Sequence, residues 1–97
     1  MDTVDRIRSL REDNDINQLE IAKILNVGQK TYSDYETRKI RIPLDSVIIL
    51  AKYYNVDMNY ICGISDAKKP FPNKWKAAFR LLFNYSLLYL PFHKVLS

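Results

Sequence analysis

The chain has 97 residues with a hydrophobic fraction of 47%, which suits one compact domain plus an appended element and excludes two full domains. Two glycines and four prolines exclude fibrous and disordered classes, and the single cysteine, Cys62, excludes an internal disulfide and fits a reducing cytoplasm. The net charge of +4 is uneven: residues 1–66 hold nine Lys/Arg against eleven Asp/Glu, while residues 67–97 hold six Lys/Arg and no acid, so overall basicity does not by itself mark the first part as a nucleic-acid binder.

The opening residues carry Asp2, Asp5 and Arg6 rather than an apolar run, so no secretory signal is read there and a cytoplasmic protein is expected. Val4, Ile7 and Leu10 recur at helical spacing and predict a first helix from about Thr3 to Asn14. Asp2 or Thr3 would cap it, with Asp5 favourably placed in the first turn. Residues 12–15 form a polar break. Asn17 then reads as an N-cap, with Glu20 three residues on completing a variant capping box.

Residues 17–36, NQLEIAKILNVGQKTYSDYE, read as two short amphipathic helices joined by a tight turn at Asn26-Val27-Gly28. The first is expected to turn Leu19, Ala22, Ile24 and Leu25 inward, with Val27 of the turn following them into the core. Helix three opens at Gly28 and runs from Gln29 to Glu36. Tyr32 and Tyr35, at i and i+3, would face inward and leave Gln29, Lys30, Thr31, Ser33 and Asp34 outside. Amides, hydroxyls and a lysine on an exposed helix face are groups suited to reading base edges in a major groove.

Beyond a loop at residues 38–42, Pro43 suits the first turn of helix four, which runs to about Tyr54. Leu44, Val47, Ile48, Leu50, Ala51 and Tyr54 are its candidates for the core. A short fifth helix follows its N-cap Asp57, and Gly63 is a natural C-cap. No strand is predicted. The expected fold is all-α, a five-helix bundle over residues 1–66.

These residues support a family resemblance. The pattern Asn-Gln-x-x-Ile-Ala-x-x-Leu-Asn-Val, then Tyr-Ser-x-Tyr-Glu and Ile-Pro, resembles the Xre/Cro-type, phage-repressor-like helix-turn-helix. The likeness runs from Ile7-Arg8-Ser9-Leu10-Arg11 to Tyr60-Ile61-Cys62-Gly63 and covers roughly residues 3–66. It implies a sequence-specific double-stranded DNA-binding regulator, a repressor, whose helix three enters the major groove of a pseudo-palindromic operator as a homodimer. The rival class is a protein-interaction module on the same fold, an antitoxin or adaptor acting through its tail. The net of −2 over residues 1–66 keeps that alternative open.

Carried onto this sequence, the resemblance assigns base reading to Gln29 and Lys30, with Ser33 and Asp34 further along the same face. Gln29 has the groups to pair with adenine, Lys30 to donate to guanine, and Asp34 to accept from cytosine. Phosphate contact falls to Gln18, Thr31, Arg38, Lys39 and Arg41. The ordinary alternative for each is a solvated polar face. Arg11 and Glu36 are implied to form a structural ion pair rather than a DNA contact. Two positions depart from the family. Arg38 stands where a glycine is usual, so either a residue with a Cβ occupies a left-handed turn or the loop takes another path. Gly28 stands where Ser or Thr is commoner, which removes a cap.

With one His and one Cys and no Gly-rich phosphate loop, no catalytic set is visible, so neither an enzyme nor a metal or cofactor is expected. Cys62 reads as a small core residue.

Residues 67–73, AKKPFPN, read as a two-proline linker. From about 74 to 90 the pattern is again helical, with Lys76, Arg80 and Asn84 as a polar stripe and Pro91 as its end. Trp75, Phe79, Leu82, Tyr85 and Tyr89 share the opposite face, whose exposure in a monomer would favour aggregation. This C-terminal amphipathic helix is read first as a dimerisation element. Packing back onto the bundle is the structural alternative, and a membrane surface or another protein partner is the remaining one. A bilayer span is not expected, because the run from Arg80 to Lys94 is too short and contains Asn84, Pro91 and His93.

Overall fold

Side-chain caps open three of the helices. In the computed structural model, which describes residues 1–72, α1 spans Thr3–Asp13, α2 Gln18–Leu25, α3 Gln29–Glu36, α4 Leu44–Tyr54 and α5 Met58–Ile61, with no strand among the described residues. The Asp2 carboxylate accepts from the Asp5 N–H while Asp5 accepts from the Asp2 N–H, a full capping box on α1. Asn17 and Glu20 repeat the arrangement on α2, and Asp57 caps α5 through the Tyr60 N–H. Residues 1–72 hold helices and no strands, as the periodicity of residues 1–66 predicts. The helix expected over 74–90 lies outside the described residues, with its face of Trp75, Phe79, Leu82, Tyr85 and Tyr89.

Left-handed residues then turn the chain out of each helix. Asn26 (φ 58°) ends α2 and Asn55 (φ 54°) ends α4, both residues whose short amide tolerates this region. Gly63 (φ 78°) follows α5, where a Cβ would fall 2.2 Å from the Met1 carbonyl oxygen. Arg38 (φ 65°) adopts the same conformation after α3. Pro43 sits one residue earlier than expected: it is the extended N-cap of α4 and not part of its first turn.

One core joins all five helices: Ile7 and Leu10, Ile21, Ala22 and Leu25, Tyr32 and Tyr35, Val47, Leu50 and Ala51, then Val56 and Ile61. Two inward assignments change. In α2 the buried face is Ile21, Ala22 and Leu25 at i, i+1 and i+4, so Leu19 points away and is 44% exposed. In α4 the buried face is Ser46, Val47, Leu50 and Ala51, which leaves Leu44 exposed outside that stripe. Ile24, Val27, Tyr54 and Cys62 pack against the core without being fully buried.

After α5 the chain runs back over the bundle. The Asp57 N–H donates to the Lys69 carbonyl at 2.8 Å, and the Phe71 N–H to Asn55 Oδ1 at 3.2 Å. The buried Arg6 guanidinium lies 4.1 Å from the Tyr60 ring centroid and pairs with Asp66. Phe71 packs against the core with the Lys52 ammonium 5.7 Å from its ring centroid. Residues 66–71, including most of the predicted linker, are therefore docked to α1, α4 and α5.

Candidate nucleic-acid interface

The α2–α3 pair is a helix-turn-helix. Its turn is fixed by left-handed Asn26 and by the Val27 N–H, which donates to the Ala22 carbonyl at 2.9 Å. Fully buried Ala22 adds almost no bulk between the helices. Gly28 is the extended N-cap of α3 with no side-chain cap, and nothing lies within 4 Å of where a Cβ would stand. Its place therefore does not demand glycine.

Two faces define α3. Inward, Tyr32 and Tyr35 meet edge to face with ring centroids 6.2 Å apart. Outward, Gln29 and Lys30 are exposed and Thr31, Ser33 and Asp34 half-exposed. Lys30 Nζ donates to both Asp34 carboxylate oxygens, at 2.9 and 3.1 Å, an i, i+4 pair lying along the outer face. Two of the four predicted base-reading groups are therefore paired with each other.

Glu36 fixes the rotation of α3. Its buried carboxylate accepts from Arg11 Nε at 2.7 Å and Arg11 Nη2 at 2.9 Å, from the Tyr32 hydroxyl at 2.5 Å and from Gln18 Nε2 at 3.1 Å. Burial pushes this carboxyl up, but the hydrogen bonds from Arg11, Tyr32 and Gln18 outweigh it and hold the group below its usual range. Burial and the bond to Glu36 push the Tyr32 hydroxyl the other way, so it stays protonated and a donor. The Arg8 guanidinium donates to the Glu36 carbonyl, closing the C-terminal end of α3. One carboxylate thus ties α1, α2 and α3. Gln18 stands at the first turn of α2, as the phosphate assignment requires, but one of its amide hydrogens is directed inward to Glu36.

The loop after α3 begins with paired backbone bonds. The Arg38 N–H donates to the Tyr35 carbonyl and the Lys39 N–H to the Asp34 carbonyl, the pattern of a Schellman motif with Arg38 in the usual glycine place. The Arg38 side chain turns toward α1. Its Nη2 lies 2.9 Å from both Asp2 oxygens and 3.3 Å from Asp5 Oδ1. The Asp5 N–H first, then the Arg38 guanidinium, hold the Asp2 carboxyl down to about 2. Lys39 and Arg41 are exposed and have no ion-pair partner among the described residues. Beneath the loop lies a groove of about 590 Å³ lined by Val4, Ile40, Ile42, Leu44, Val47 and Cys62, among others.

Sequence reasoning did not find three of these groups. Arg8, Arg6 and the acidic pair Asp2/Asp5 meet partners 28, 60 and 33–36 residues away. No local spacing signals such contacts.

Two short helices joined by a tight turn, the second with a polar outer face, place the chain in the helix-turn-helix class. The chain belongs to the helix-turn-helix family, whose profile matches residues 7–61. It is similar to the cryptic phage CTXphi transcriptional repressor RstR of Vibrio cholerae, 35% identical over 77 residues, which cover 79% of this chain and 68% of that protein. It is also 32% identical over 65 residues to the uncharacterized HTH-type transcriptional regulator YobD of Bacillus subtilis (strain 168), covering 67% of this chain and 58% of that protein. The match thus spans less than two thirds of YobD and about two thirds of RstR. No solved structure gives a significant match.

Proposed function

We propose that the protein is a sequence-specific double-stranded DNA-binding transcriptional repressor, cytoplasmic and without enzymatic activity. The observation that carries this reading is the two-sided α3. Its inner face is locked by Tyr32, Tyr35 and Glu36, and its outer face exposes Gln29 and Lys30, with Ser33 partly exposed and Asp34 paired to Lys30. A rigid helix with an amide and an ammonium exposed in its first turn suits base reading in a major groove. Gln29 and Lys30 are the principal readers, with Ser33 and Asp34 further along. Gln18, Thr31, Arg38, Lys39 and Arg41 set the register on phosphates. The relationship to a phage repressor supports the regulatory role.

In the same reading the protein acts as a homodimer on a pseudo-palindromic operator, its half-sites about one helical turn apart, with Trp75, Phe79, Leu82, Tyr85 and Tyr89 forming the interface. Selection from a random double-stranded DNA library with the full-length chain tests this directly. Enrichment of a palindrome is the expected result, and its half-site spacing reports the dimer geometry. No enrichment from folded protein over a range of concentrations would sink the DNA assignment and turn attention to a protein partner of the tail. Among the described residues, no helix is long and apolar enough to cross a membrane.

A further inference from the structure

Arg38 is the one loop cation engaged by an ion pair among the described residues, and its partners are carboxylates that DNA phosphate would have to displace. We propose that Asp2 and Asp5 form an acidic latch that competes with DNA phosphate for Arg38 and so sets the affinity of the interface. This deepens the DNA-binding reading and rests on it.

Three observations support the latch. The carboxylates are positioned independently of Arg38, because they cap each other's backbone N–H groups in the capping box of α1. The left-handed turn fixes the Arg38 backbone beside α1, and the guanidinium reaches both Asp2 oxygens at 2.9 Å and Asp5 Oδ1 at 3.3 Å. The pair is open to solvent, with side-chain exposures of 49% for Arg38, 58% for Asp2 and 39% for Asp5, so an incoming phosphate has access to it.

The charges give the latch its direction. Two carboxylates face one guanidinium, so the cluster carries a net charge of about −1 and repels a phosphate until Arg38 exchanges partners. With the latch closed, Lys39 and Arg41 are the loop cations left unpaired among the described residues. Opening it would add a third. Ile42 anchors the far end of the loop on the core, while its start, over the groove, is tied to α1 by the latch.

The test uses Asp2→Asn and Asp5→Asn, alone and together, in the full-length chain. Asparagine keeps the N-cap acceptor at position 2 and removes only charge. Affinity is read by fluorescence anisotropy on a labelled random-sequence duplex at roughly 50–200 mM salt. The double variant should bind about two- to fivefold tighter per carboxylate removed, the range of an exposed ion pair. The slope of log affinity against log salt should steepen by about 1. Arg38→Gln should then lower affinity more in the double variant than in the wild type. Asp13→Asn, exposed at the other end of α1, is the charge control, and its effect should not depend on Arg38.

An equal gain with Arg38→Gln already present would overturn the latch, because the effect would then be general charge removal. Unchanged affinity and slope in the double variant, beside a wild type that binds, would overturn it while leaving the DNA reading intact. Absence of salt-dependent binding by wild type and every variant would overturn the DNA reading itself, and the latch with it.

Discussion

Replacing Glu36 with Gln tests whether the carboxylate that orients α3 also holds the domain together. The change is nearly isosteric but removes the charge, and it leaves the Arg11 guanidinium, with its side chain 14% exposed, facing a neutral amide. Two charge-assisted bonds to Arg11 are lost, and Gln18 and Tyr32 lose part of their acceptor. Removing one partner of a buried pair costs about 3–5 kcal/mol. That is a large share of the total stability of a small domain, about 5–15 kcal/mol. Arg11 keeps one bond, from Nη1 to the Ile16 carbonyl, which places the cost toward the lower end. Urea unfolding followed by circular dichroism measures the loss. Arg11→Met in the same chain should recover about 0.5–3 kcal/mol relative to the sum of the single variants.

The pH dependence follows from the depressed carboxyl. The contribution of Glu36 is complete above its unfolded value of 4.5 and is lost as pH falls through the lower folded value. The gap between wild type and Glu36→Gln should therefore stay constant from neutral pH to just above 4.5 and close in acid. A variant within about 1 kcal/mol of wild type at neutral pH, below the lower bound for breaking a buried pair, would refute the reasoning. So would a gap that persists in strong acid.

Three further outcomes are expected. Gln29→Ala and Lys30→Ala should each weaken binding to a selected operator by about 1–3 kcal/mol with unchanged melting temperature, and equal binding by wild type and both variants would remove α3 from base reading. Gly63→Ala should destabilise by at least about 1–2 kcal/mol, since the left-handed backbone penalises a side chain and the new Cβ meets the Met1 carbonyl; thermal melting measures it. Phe71→Ala should lower stability by about 1–2 kcal/mol through lost apolar burial and leave DNA affinity unchanged, as checked by melting and anisotropy on the same protein.

The helices were legible because their ends are written locally. Asp2 with Asp5, Asn17 with Glu20, and Asp57 are start signals within one turn of the bonds they make. The left-handed turn at Arg38 was one of two outcomes raised by the family resemblance, which places a glycine there, and the structure takes it. The inward faces of α2 and α4 were harder. Apolar residues outnumber the buried places on both, so periodicity alone does not choose Ile21 over Leu19 or Val47 over Leu44. Side-chain destinations across the bundle were not legible at all. Spacing shows that Gln18 and Arg38 are polar and well placed. It does not show that Gln18 bonds to Glu36 or that Arg38 is held by α1.

Those destinations change how the interface would divide its work. On α3, Lys30 and Asp34 neutralise each other, so the recognition face carries little net charge and offers chiefly an amide, a hydroxyl and an ammonium already engaged. Long-range attraction to DNA must then come from elsewhere, because the described part of the chain is acidic through Asp66. Lys39 and Arg41 are the cations left unpaired in the loop. With these loop cations alone on phosphate, one helix-turn-helix unit should bind weakly and with a shallow salt dependence. Useful affinity would then draw on the six cations of residues 67–97 or on two subunits on one operator, which raises the number of phosphate contacts and makes each recognition helix local to its half-site. The weak electrostatics of residues 1–66 are therefore a reason to expect that DNA binding needs either a second subunit or the basic residues beyond Asp66.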